Sequence, residues 1–309
     1  AYMLLDKNPI ALVQIAFTSV GNFPLMALPA FVLAGALMEA AGISKRLVDI
    51  AESLAGPVTG GLGAATVMAC LFFGAISGSG PATTAAVGML MVPAMVKRDY
   101  DKSYASAVTA ASGGLGIIIP PSIPLVIFGI SAMGLMAPPE AIAQHGQFAS
   151  LSIPKLFVAG VVPGFIMAST LVVTNYFIAK REGYKGLTEN WSFGEVRHSL
   201  RRGIWSILAP FLILGGIYSG MFTPTESAVV AIFYSLFVGV FIHRELSFKS
   251  TIKSLSTTTW ITGRVLLILF AATVFGRLLI EQKIPVVVAE SLLGFTDNMY
   301  MVWALTIVL

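Results

Sequence analysis

A run of forty residues without a charged side chain, from Pro57 to Val96, constrains the fold of this chain most strongly. An α-helix rises about 1.5 Å per residue, and one crossing of a bilayer takes roughly 20 apolar residues. The run is therefore too long for a single crossing. Its middle, residues 77–81, reads Ser-Gly-Ser-Gly-Pro and is followed by Thr83 and Thr84, which predicts a break in the helix at membrane depth.

Composition indicates the class of protein. Hydrophobic residues make up 56% of the chain and charged residues 11%, and the mean hydropathy is +0.86, values typical of an integral membrane protein. The apolar runs predict an all-α polytopic fold, and the 309 residues leave no room for a sizeable soluble domain. The charge-free runs cover residues 8–38, 57–96, 103–139, 156–179, 203–225 and 227–243, with weaker runs after Arg264 and after Asp297.

Lysine and arginine cluster between the apolar runs, and their distribution predicts the orientation of the chain in the membrane. Four such clusters should face the cytoplasm. The segment 138–154, which contains Glu140 and His145 but no lysine or arginine, should face outward. The net charge of +4 is therefore a topology signal rather than a sign of nucleic-acid binding. The clusters are Lys45 and Arg46; Lys97, Arg98 and Lys102; the lysines and arginines between residues 180 and 202; and Arg244, Lys249, Lys253 and Arg264.

Both flanks of the run 57–96 then lie on the cytoplasmic side, which permits either two full crossings or a re-entrant hairpin. The halves, 57–76 and 81–96, are short and rich in glycine, alanine, serine and threonine, residues that let helices pack closely in lipid. We therefore favour a hairpin with the Ser-Gly-Ser-Gly-Pro break at its tip. Such a tip must be enclosed by protein or line a wet cavity, because hydrocarbon cannot satisfy its N–H and C=O groups.

A second break lies at residues 113–124, Gly-Gly-Leu-Gly-Ile-Ile-Ile-Pro-Pro-Ser-Ile-Pro, which we name the proline break. Its prolines stop a helix, since proline lacks an N–H donor and clashes with the preceding turn. Unwound backbone from Gly114 to Pro121 should expose carbonyls to a small cation. A helix that restarts near Ser122 should direct N–H groups at an anion such as a carboxylate.

The two breaks together hold many hydroxyl and carbonyl oxygens but neither an acidic residue nor a histidine. Such hard oxygen ligands favour Na⁺ over a transition metal. The alternative is that glycine and serine only permit close helix packing and that the prolines only kink the chain. The hydroxyls are those of Ser77, Ser79, Thr83, Thr84 and Ser122.

Two similar hexapeptides indicate an internal repeat, since residues 51–56 read Ala-Glu-Ser-Leu-Ala-Gly and residues 289–294 read Ala-Glu-Ser-Leu-Leu-Gly. The charge pattern puts the first copy on the cytoplasmic side and the second outside. The copies should therefore be inverted, an arrangement typical of secondary transporters. The second copy would end before its own Ser-Gly-Ser-Gly-Pro break, and the chain begins without a methionine. We therefore expect the chain to be truncated at both ends and half of a transport site to lie outside it.

Three further features have simple structural interpretations. Residues 223–226, Thr-Pro-Thr-Glu, predict a capping box at a helix start, with a coupling role for Glu226 as the alternative. Arg277 and Glu281 lie four residues apart in an apolar helix and should pair, either at a helix or subunit interface or against a docking protein. Cys70 should be a buried, inert thiol.

Residues 78–84, Gly-Ser-Gly-Pro-Ala-Thr-Thr, and residues 114–122, Gly-Leu-Gly-Ile-Ile-Ile-Pro-Pro-Ser, resemble the large membrane subunit (M subunit, DctM-like) of tripartite ATP-independent periplasmic (TRAP) transporters. Residues 222–226, Phe-Thr-Pro-Thr-Glu, are similar as well, and the resemblance covers essentially the whole chain. It implies an inverted-repeat, elevator-type secondary transporter with a re-entrant helical hairpin and broken helices. It also implies Na⁺-coupled import of an organic acid of the C4-dicarboxylate or sialic acid class.

The resemblance assigns residues to a binding site. Those facing the substrate would be Ser77, Ser79, Thr83 and Ser122. Those holding Na⁺, largely through carbonyls, would be Ser77, Gly80, Gly114, Gly116, Ile119 and Pro121. The family's second hairpin and second proline-rich break have no counterpart before Leu309, so a second Na⁺ site and part of the substrate site would lie outside this sequence.

The resemblance also implies partners and a location. The chain would be a multi-pass protein of the bacterial inner membrane, working with a small membrane subunit (Q subunit) and a periplasmic substrate-binding protein, with Na⁺ and no organic cofactor. It would divide into N-terminal helices with a cytoplasmic connector (1–56), half of a transport domain (57–137, with hairpin 57–96 and broken helix 103–137), a scaffold (138–264) and the start of the second repeat (265–309).

Two functions compete with coupled transport. A passive channel or a structural membrane subunit would use the same spans without a coupled site. An intramembrane serine hydrolase, with Ser77 or Ser79 as nucleophile, would need a base within hydrogen-bond reach. The histidines of the chain, His145, His198 and His243, lie in loops or at the ends of predicted spans.

Overall fold

The computed structural model describes residues 23–132, 152–186, 192–295 and 298–308, together with isolated positions before residue 23. These residues form helices joined by short turns, and no β-strand occurs among them, which confirms the all-α polytopic prediction. The predicted outer segment 138–154, with Glu140 and His145, lies almost wholly outside the described residues. The α-helices, numbered in chain order, are α1 (Ala27–Ala40), α2 (Ile43–Ala55), α3 (Gly61–Ser77), α4 (Gly80–Val96), α5 (Lys102–Gly113), α6 (Ile123–Ala132), α7 (Ile153–Glu182), α8 (Phe193–Arg202), α9 (Ile204–Tyr218), α10 (Pro224–Phe237), α11 (Phe248–Glu281), α12 (Ile284–Phe295) and α13 (Met299–Val308).

Contacts divide the chain into two compact units, one of residues Phe23–Thr262 and one of residues Ala1–Asn22 with Gly263–Leu309. Three of the described helices are long and apolar enough to cross a bilayer alone. They are α7, α11, and α10 together with the π-helical turn Val238–Ile242 that continues it. The number rises to five if each bent pair counts as one span, since α2 turns 69° from α1 and α9 turns 60° from α8. These lengths fit the predicted polytopic membrane protein.

The charge-free run folds as a helical hairpin of α3 and α4, which have 17 residues each. α3 ends at Ser77 and α4 begins at Gly80, so the chain reverses at residues 78–79, inside the predicted break. The Thr66 hydroxyl lies 3.7 Å from the Met95 sulfur at the open end of the hairpin, so the helices are antiparallel. Each helix is about 26 Å long, somewhat shorter than a hydrocarbon core of about 30 Å.

Local chemistry explains the turn between α3 and α4. Gly78 ends α3 with φ of 62°, a left-handed conformation that favours glycine because it has no Cβ. Ser79 caps α4, since its side chain accepts a hydrogen bond from the Ala82 N–H, and Pro81 lies in the first turn, where its missing donor does no harm. We call residues 77–84 the hairpin tip.

The proline break also interrupts a helix as predicted, but it is shorter than expected. α5 ends at Gly113 and α6 begins at Ile123. The expectation that the backbone is unwound from Gly114 onward is wrong for Gly114–Ile117, which form a 3₁₀ turn. The turn persists because the N–H groups of residues 118 and 119 donate to the Leu115 carbonyl at 3.1 and 2.9 Å, so the non-helical backbone is limited to residues 118–122.

Helix α1 packs against the hairpin and against α10. A Cβ placed on Gly35 would lie 3.2 Å from the Ser77 Cα, so α1 approaches the hairpin tip at backbone distance. The bend between α1 and α2 is held by Arg46, which pairs with Glu245 at 2.9 Å. Cys70, in α3, is buried as predicted. The largest buried side chains of this core include Phe31, Phe73, Phe157, Met91 and Met95.

Large apolar side chains are exposed along several of the long helices. This is expected where a helix faces lipid rather than water, because exposed aliphatic and aromatic surface is then favourable. Examples from α7, α9, α10 and α11 are Val162, Phe165, Phe211, Phe233 and Trp260.

Two local predictions are confirmed. Thr223 and Glu226 form a capping box at the start of α10, in which the Glu226 carboxylate accepts from the Thr223 N–H at 2.8 Å and the Thr223 hydroxyl accepts from the Glu226 N–H at 3.3 Å. Arg277 and Glu281 form an ion pair of 3.2 Å across one turn of α11. In both cases the side chains meet because helical spacing alone brings them together.

The capping box can be tested by substitution. Thr223→Ala should lower the free energy of unfolding by about 1 kcal/mol, because a first-turn N–H loses its hydroxyl acceptor. The measurement is the thermal midpoint of the purified protein in detergent. Thr225→Ala is the matched control, since the Thr225 hydroxyl makes no hydrogen bond with any described residue. Equal midpoints for the two variants would contradict the assignment.

Candidate functional site

The hairpin tip lies directly against the proline break. The Ile123 N–H donates to the Gly78 carbonyl at 3.1 Å, so the first turn of α6 is joined to the turn of the hairpin. A Cβ placed on Gly116 would lie 2.9 Å from the Ser79 carbonyl oxygen, and one placed on Gly74 would lie 2.8 Å from the Gly116 Cα. The two breaks therefore meet backbone to backbone, at a separation that only glycine permits.

The hydroxyls of the hairpin tip form a buried network. Ser77 and Thr83 are 2% and 0% exposed, and their hydroxyl oxygens lie 2.9 Å apart. The Thr83 hydroxyl also lies 2.8 Å from the Ser79 carbonyl, to which it donates. Because Thr83 uses its proton there, Ser77 is the donor of the hydroxyl pair. The network orders three of the predicted substrate-facing residues around one turn of backbone.

On the opposite side, Ser122 caps α6. Its hydroxyl donates to the Ile117 carbonyl at 2.6 Å and accepts from the Leu125 N–H at 3.3 Å, and the residue is 1% exposed. This cap explains why a helix can restart so soon after two consecutive prolines. The bond between Pro120 and Pro121 is cis.

The carbonyls of residues 118–121 are the most unusual polar groups of the site. They accept no hydrogen bond from any described residue, although Ile119, Pro120 and Pro121 are buried. A buried carbonyl without a partner is costly, so nearly all such groups in proteins are paired. Carbonyl oxygens of unwound backbone are suitable ligands for an alkali cation.

Four helix ends meet at this site, and they supply its electrostatics. Neither the hairpin tip nor the proline break contains an ionisable side chain. α3 and α5 end there, and α4 and α6 begin there. Helix C-termini carry partial negative charge and helix N-termini carry partial positive charge. The arrangement can therefore attract a cation and an anion side by side without any charged residue.

The structure brings nearly all of the predicted site residues into this contact. Gly80 is buried, and a Cβ there would lie 3.2 Å from the Ile117 side chain and 3.3 Å from the Gly113 carbonyl. Gly114 is the exception, because a Cβ there would have no atom of the described residues within 4 Å. The residues that gather at the contact are Ser77, Ser79, Gly80, Thr83, Thr84, Gly116, Ile119, Pro121 and Ser122.

Sequence reasoning missed one buried polar residue next to the proline break. Ser112, in the last turn of α5, is fully buried, and its hydroxyl has no hydrogen-bond partner among the described residues. The signal was present, because the serine immediately precedes Gly113 and Gly114, but the break was placed to begin after it.

A separate cleft of about 640 Å³ lies between α2 and α8 and shares no lining residue with the hairpin tip or the proline break. Its charged side chains balance, with three arginines and three carboxylates. Its charged lining residues are Arg46, Arg98, Arg202, Asp49, Glu52 and Glu195, with His198 beside them.

Known proteins resemble this chain along its whole length. The family model described as tripartite ATP-independent periplasmic transporter, DctM component, matches residues 1–309. The isethionate TRAP transporter permease protein DctMQ of Oleidesulfovibrio alaskensis is 40% identical over 285 residues, which cover 92% of this chain and 42% of the relative. The C4-dicarboxylate TRAP transporter large permease protein DctM of Rhodobacter capsulatus is 36% identical, covering 89% and 61%.

The sialic acid TRAP transporter large permease protein SiaM of Vibrio cholerae is 38% identical over 279 residues, which cover 90% of this chain and 61% of the relative. The chain thus spans between 42% and 61% of the length of these three curated relatives.

A glycine pair in the 3₁₀ turn tests the contact between the two breaks. Gly116→Ala should lower the free energy of unfolding by about 1–3 kcal/mol, because the new methyl group would overpack the Ser79 backbone. Gly114→Ala should leave the thermal midpoint in detergent unchanged, since its Cβ meets no atom within 4 Å. The interpretation fails if the two alanine variants unfold at the same temperature.

Proposed function

The chain belongs to the DctM component family of tripartite ATP-independent periplasmic transporters, and from that membership we propose that it forms part of a Na⁺-coupled importer of organic acids. The family consists of transporter subunits, and the relatives are named as permease proteins rather than enzymes. The proposal concerns the coupling ion, the substrate and the mechanism.

The Na⁺ site is proposed from the carbonyls of the proline break. The observation that supports it most directly is that the carbonyls of residues 118–121, three of which belong to buried residues, accept no hydrogen bond within the described part of the chain. The C-termini of α3 and α5 add partial negative charge beside them. A bound cation would interact favourably with these carbonyls and with the partial negative charge of the helix C-termini. The ligands would be drawn from Ser77, Gly80, Gly114, Gly116, Ile119 and Pro121, and all of these except Ser77 would contribute only backbone carbonyls.

The substrate is proposed to be an organic acid anion. The N-termini of α4 and α6, capped by Ser79 and Ser122, supply partial positive charge without a charged side chain. The names of the relatives mention isethionate, C4-dicarboxylate and sialic acid. An acid group of this kind would lie against Ser77, Ser79, Thr83 and Ser122.

The mechanism is proposed to be an elevator-like shift. The hairpin would enter the membrane from the cytoplasmic side and return, with its tip enclosed by the proline break and α1. Residues 57–137 would move as half of a transport domain together with α7, which contacts both the hairpin base and the proline break. The scaffold would be formed by the other helices of residues 138–264. The close backbone contact of the two breaks supports a block that moves together, because shifting one break alone would expose its polar backbone to lipid.

The proposed assembly is the one typical of the family. The chain would be a multi-pass protein of the bacterial inner membrane, and it would act with a small membrane subunit and a periplasmic substrate-binding protein. The exposed apolar surfaces of α7, α9, α10 and α11 are compatible with lipid or with the small subunit.

Uptake by the complete transporter in proteoliposomes tests the proposal. With the large subunit, its small subunit and the cognate binding protein present, an inward Na⁺ gradient should drive substrate accumulation. Ser77→Ala should reduce uptake by about tenfold or more, because the hydroxyl that donates to Thr83 would turn to the bound acid group, and a hydrogen bond to a charged group contributes about 1.5–3 kcal/mol. Ser122→Ala should do the same, with the thermal midpoint measured in parallel because it also removes the α6 cap.

Ser219→Ala is the matched control for both variants. Ser219 is exposed, and its hydroxyl donates to the Gly216 carbonyl of its own turn and to no other described residue. Uptake that persists unchanged without a Na⁺ gradient would contradict the proposal of a Na⁺-coupled importer. Wild-type rates in both serine variants would remove Ser77 and Ser122 from the site.

A further inference from the structure

Asn175 is a buried amide in the longest apolar run of helix α7. It is 2% exposed and lies within the charge-free run 156–179. An amide inside a membrane helix needs partners for its carbonyl and its NH₂ group, because lipid offers none. Its position therefore requires a specific arrangement of neighbouring backbone or side chains.

Two other segments supply those partners. The Tyr104 hydroxyl, from α5, donates to the Asn175 Oδ1 at 2.6 Å. The Asn175 Nδ2 donates to the carbonyl of Gly60, at the base of the hairpin, at 3.0 Å. One side chain thus joins α7 to the helix that enters the proline break and to the helix that leads to the hairpin tip.

The base of the hairpin is shaped around this amide. A Cβ placed on Gly63 would overlap the Asn175 side chain, and one placed on Gly60 would lie 3.0 Å from its Nδ2. Both glycines therefore leave the space that the amide occupies. Gly60 also has φ of 72°, a conformation that few other residues adopt readily.

Three tyrosines reinforce the same junction. The rings of Tyr100 and Tyr184 stack with centroids 4.1 Å apart, and Tyr104 lies 5.4 Å from Tyr184. The Tyr184 hydroxyl accepts from the Asp101 N–H at 3.2 Å, and its carbonyl accepts from the Gly60 N–H at 3.3 Å. The end of α7 is therefore attached to the start of α5 and to the base of the hairpin through several independent contacts.

The other half of α7 lies against the proline break itself. A Cβ placed on Gly160 would lie 2.8 Å from the Ile118 carbonyl, and one placed on Gly164 would lie 3.1 Å from the Ile119 side chain. Gly164 and Asn175 are separated by about 16 Å along the helix axis. α7 thus contacts the proline break at one point along its length and the hairpin base at another.

We propose that Asn175 is a positioning residue for the ion and substrate site, and this inference rests on the proposed function. The amide holds the base of the hairpin and the start of α5 at fixed positions on α7. Because α3 continues without interruption from Gly61 to Ser77, a displacement at the base is carried to the hairpin tip. The distance between the hydroxyls of the tip and the carbonyls of the break therefore depends on a contact remote from both.

Two variants test this role. Both should change the Na⁺ concentration for half-maximal uptake and leave the assembly of the transporter intact. Asn175→Leu removes the amide at similar volume, and Tyr104→Phe removes only the hydroxyl and keeps the ring stack. Each should raise the Na⁺ concentration for half-maximal uptake by about fivefold to tenfold, since buried groups lose their partners. The maximal rate at saturating Na⁺ should stay close to that of the wild type. The measurement is the Na⁺ dependence of uptake by the complete transporter in proteoliposomes.

A double variant distinguishes positioning by this hydrogen bond from general damage. Combined with Asn175→Leu, Tyr104→Phe should add little further change, because its partner is already gone. Tyr176→Phe and Thr170→Val are matched controls on α7. The Tyr176 ring is exposed and, among the rings of the described residues, contacts only Phe177. The exposed Thr170 hydroxyl donates to the Ile166 carbonyl of its own helix. Both should show wild-type half-saturation.

The outcomes separate the two proposals. If uptake by the wild-type transporter does not depend on Na⁺, both the proposed Na⁺-coupled function and the positioning role of Asn175 are contradicted. If the wild type depends on Na⁺ but Asn175→Leu and Tyr104→Phe keep its half-saturation, only the positioning role is overturned. The same holds if the two changes multiply independently in the double variant, or if the variants lose maximal rate alone.

Discussion

The unit of residues Phe23–Thr262 depends on one constraint, the contact between the hairpin tip and the proline break. Each break leaves backbone N–H and C=O groups outside a helix, and such groups are costly in an apolar environment. The Gly78 carbonyl accepts from the Ile123 N–H, and Gly116 lets the Ser79 backbone approach closely. Neither break can be stable at membrane depth alone, so α1 and α7 close around both together, at Gly35 and at Gly160.

A site made of helix ends, hydroxyls and carbonyls has a physical consequence for coupling. An ionised side chain in the membrane would be costly and would favour one sign of charge permanently. The hairpin tip and the proline break avoid this, since they contain no ionisable residue. In the proposed function, a bound cation would make the site more favourable for an anion, and the reverse would also hold. Coupling would then follow from electrostatics between the two ligands.

The features predicted correctly are those that depend on neighbours in sequence. The reversal at residues 78–79, the stop before the proline break and the capping box of Thr223 and Glu226 each follow from glycine, proline or a short hydrogen bond. The extent of the proline break was overestimated, because the Leu115 carbonyl accepts from residues 118 and 119 and keeps one 3₁₀ turn. The hydrogen bonds of Asn175 were not predicted, because its partners lie 71 and 115 residues away.

By itself, the sequence determined that this chain is a helical membrane protein and where its helices stop, because hydrophobic runs, glycines and prolines act over a few residues. It also determined that the site has no charged side chain. Only the tertiary structure decided that the two breaks face each other and that Gly114 points away while Gly116 lies against Ser79. It also decided that α7 reaches both the base of the hairpin and the proline break. These results depend on how helices distant in sequence pack, and packing is set by the shapes of whole surfaces rather than by local pattern.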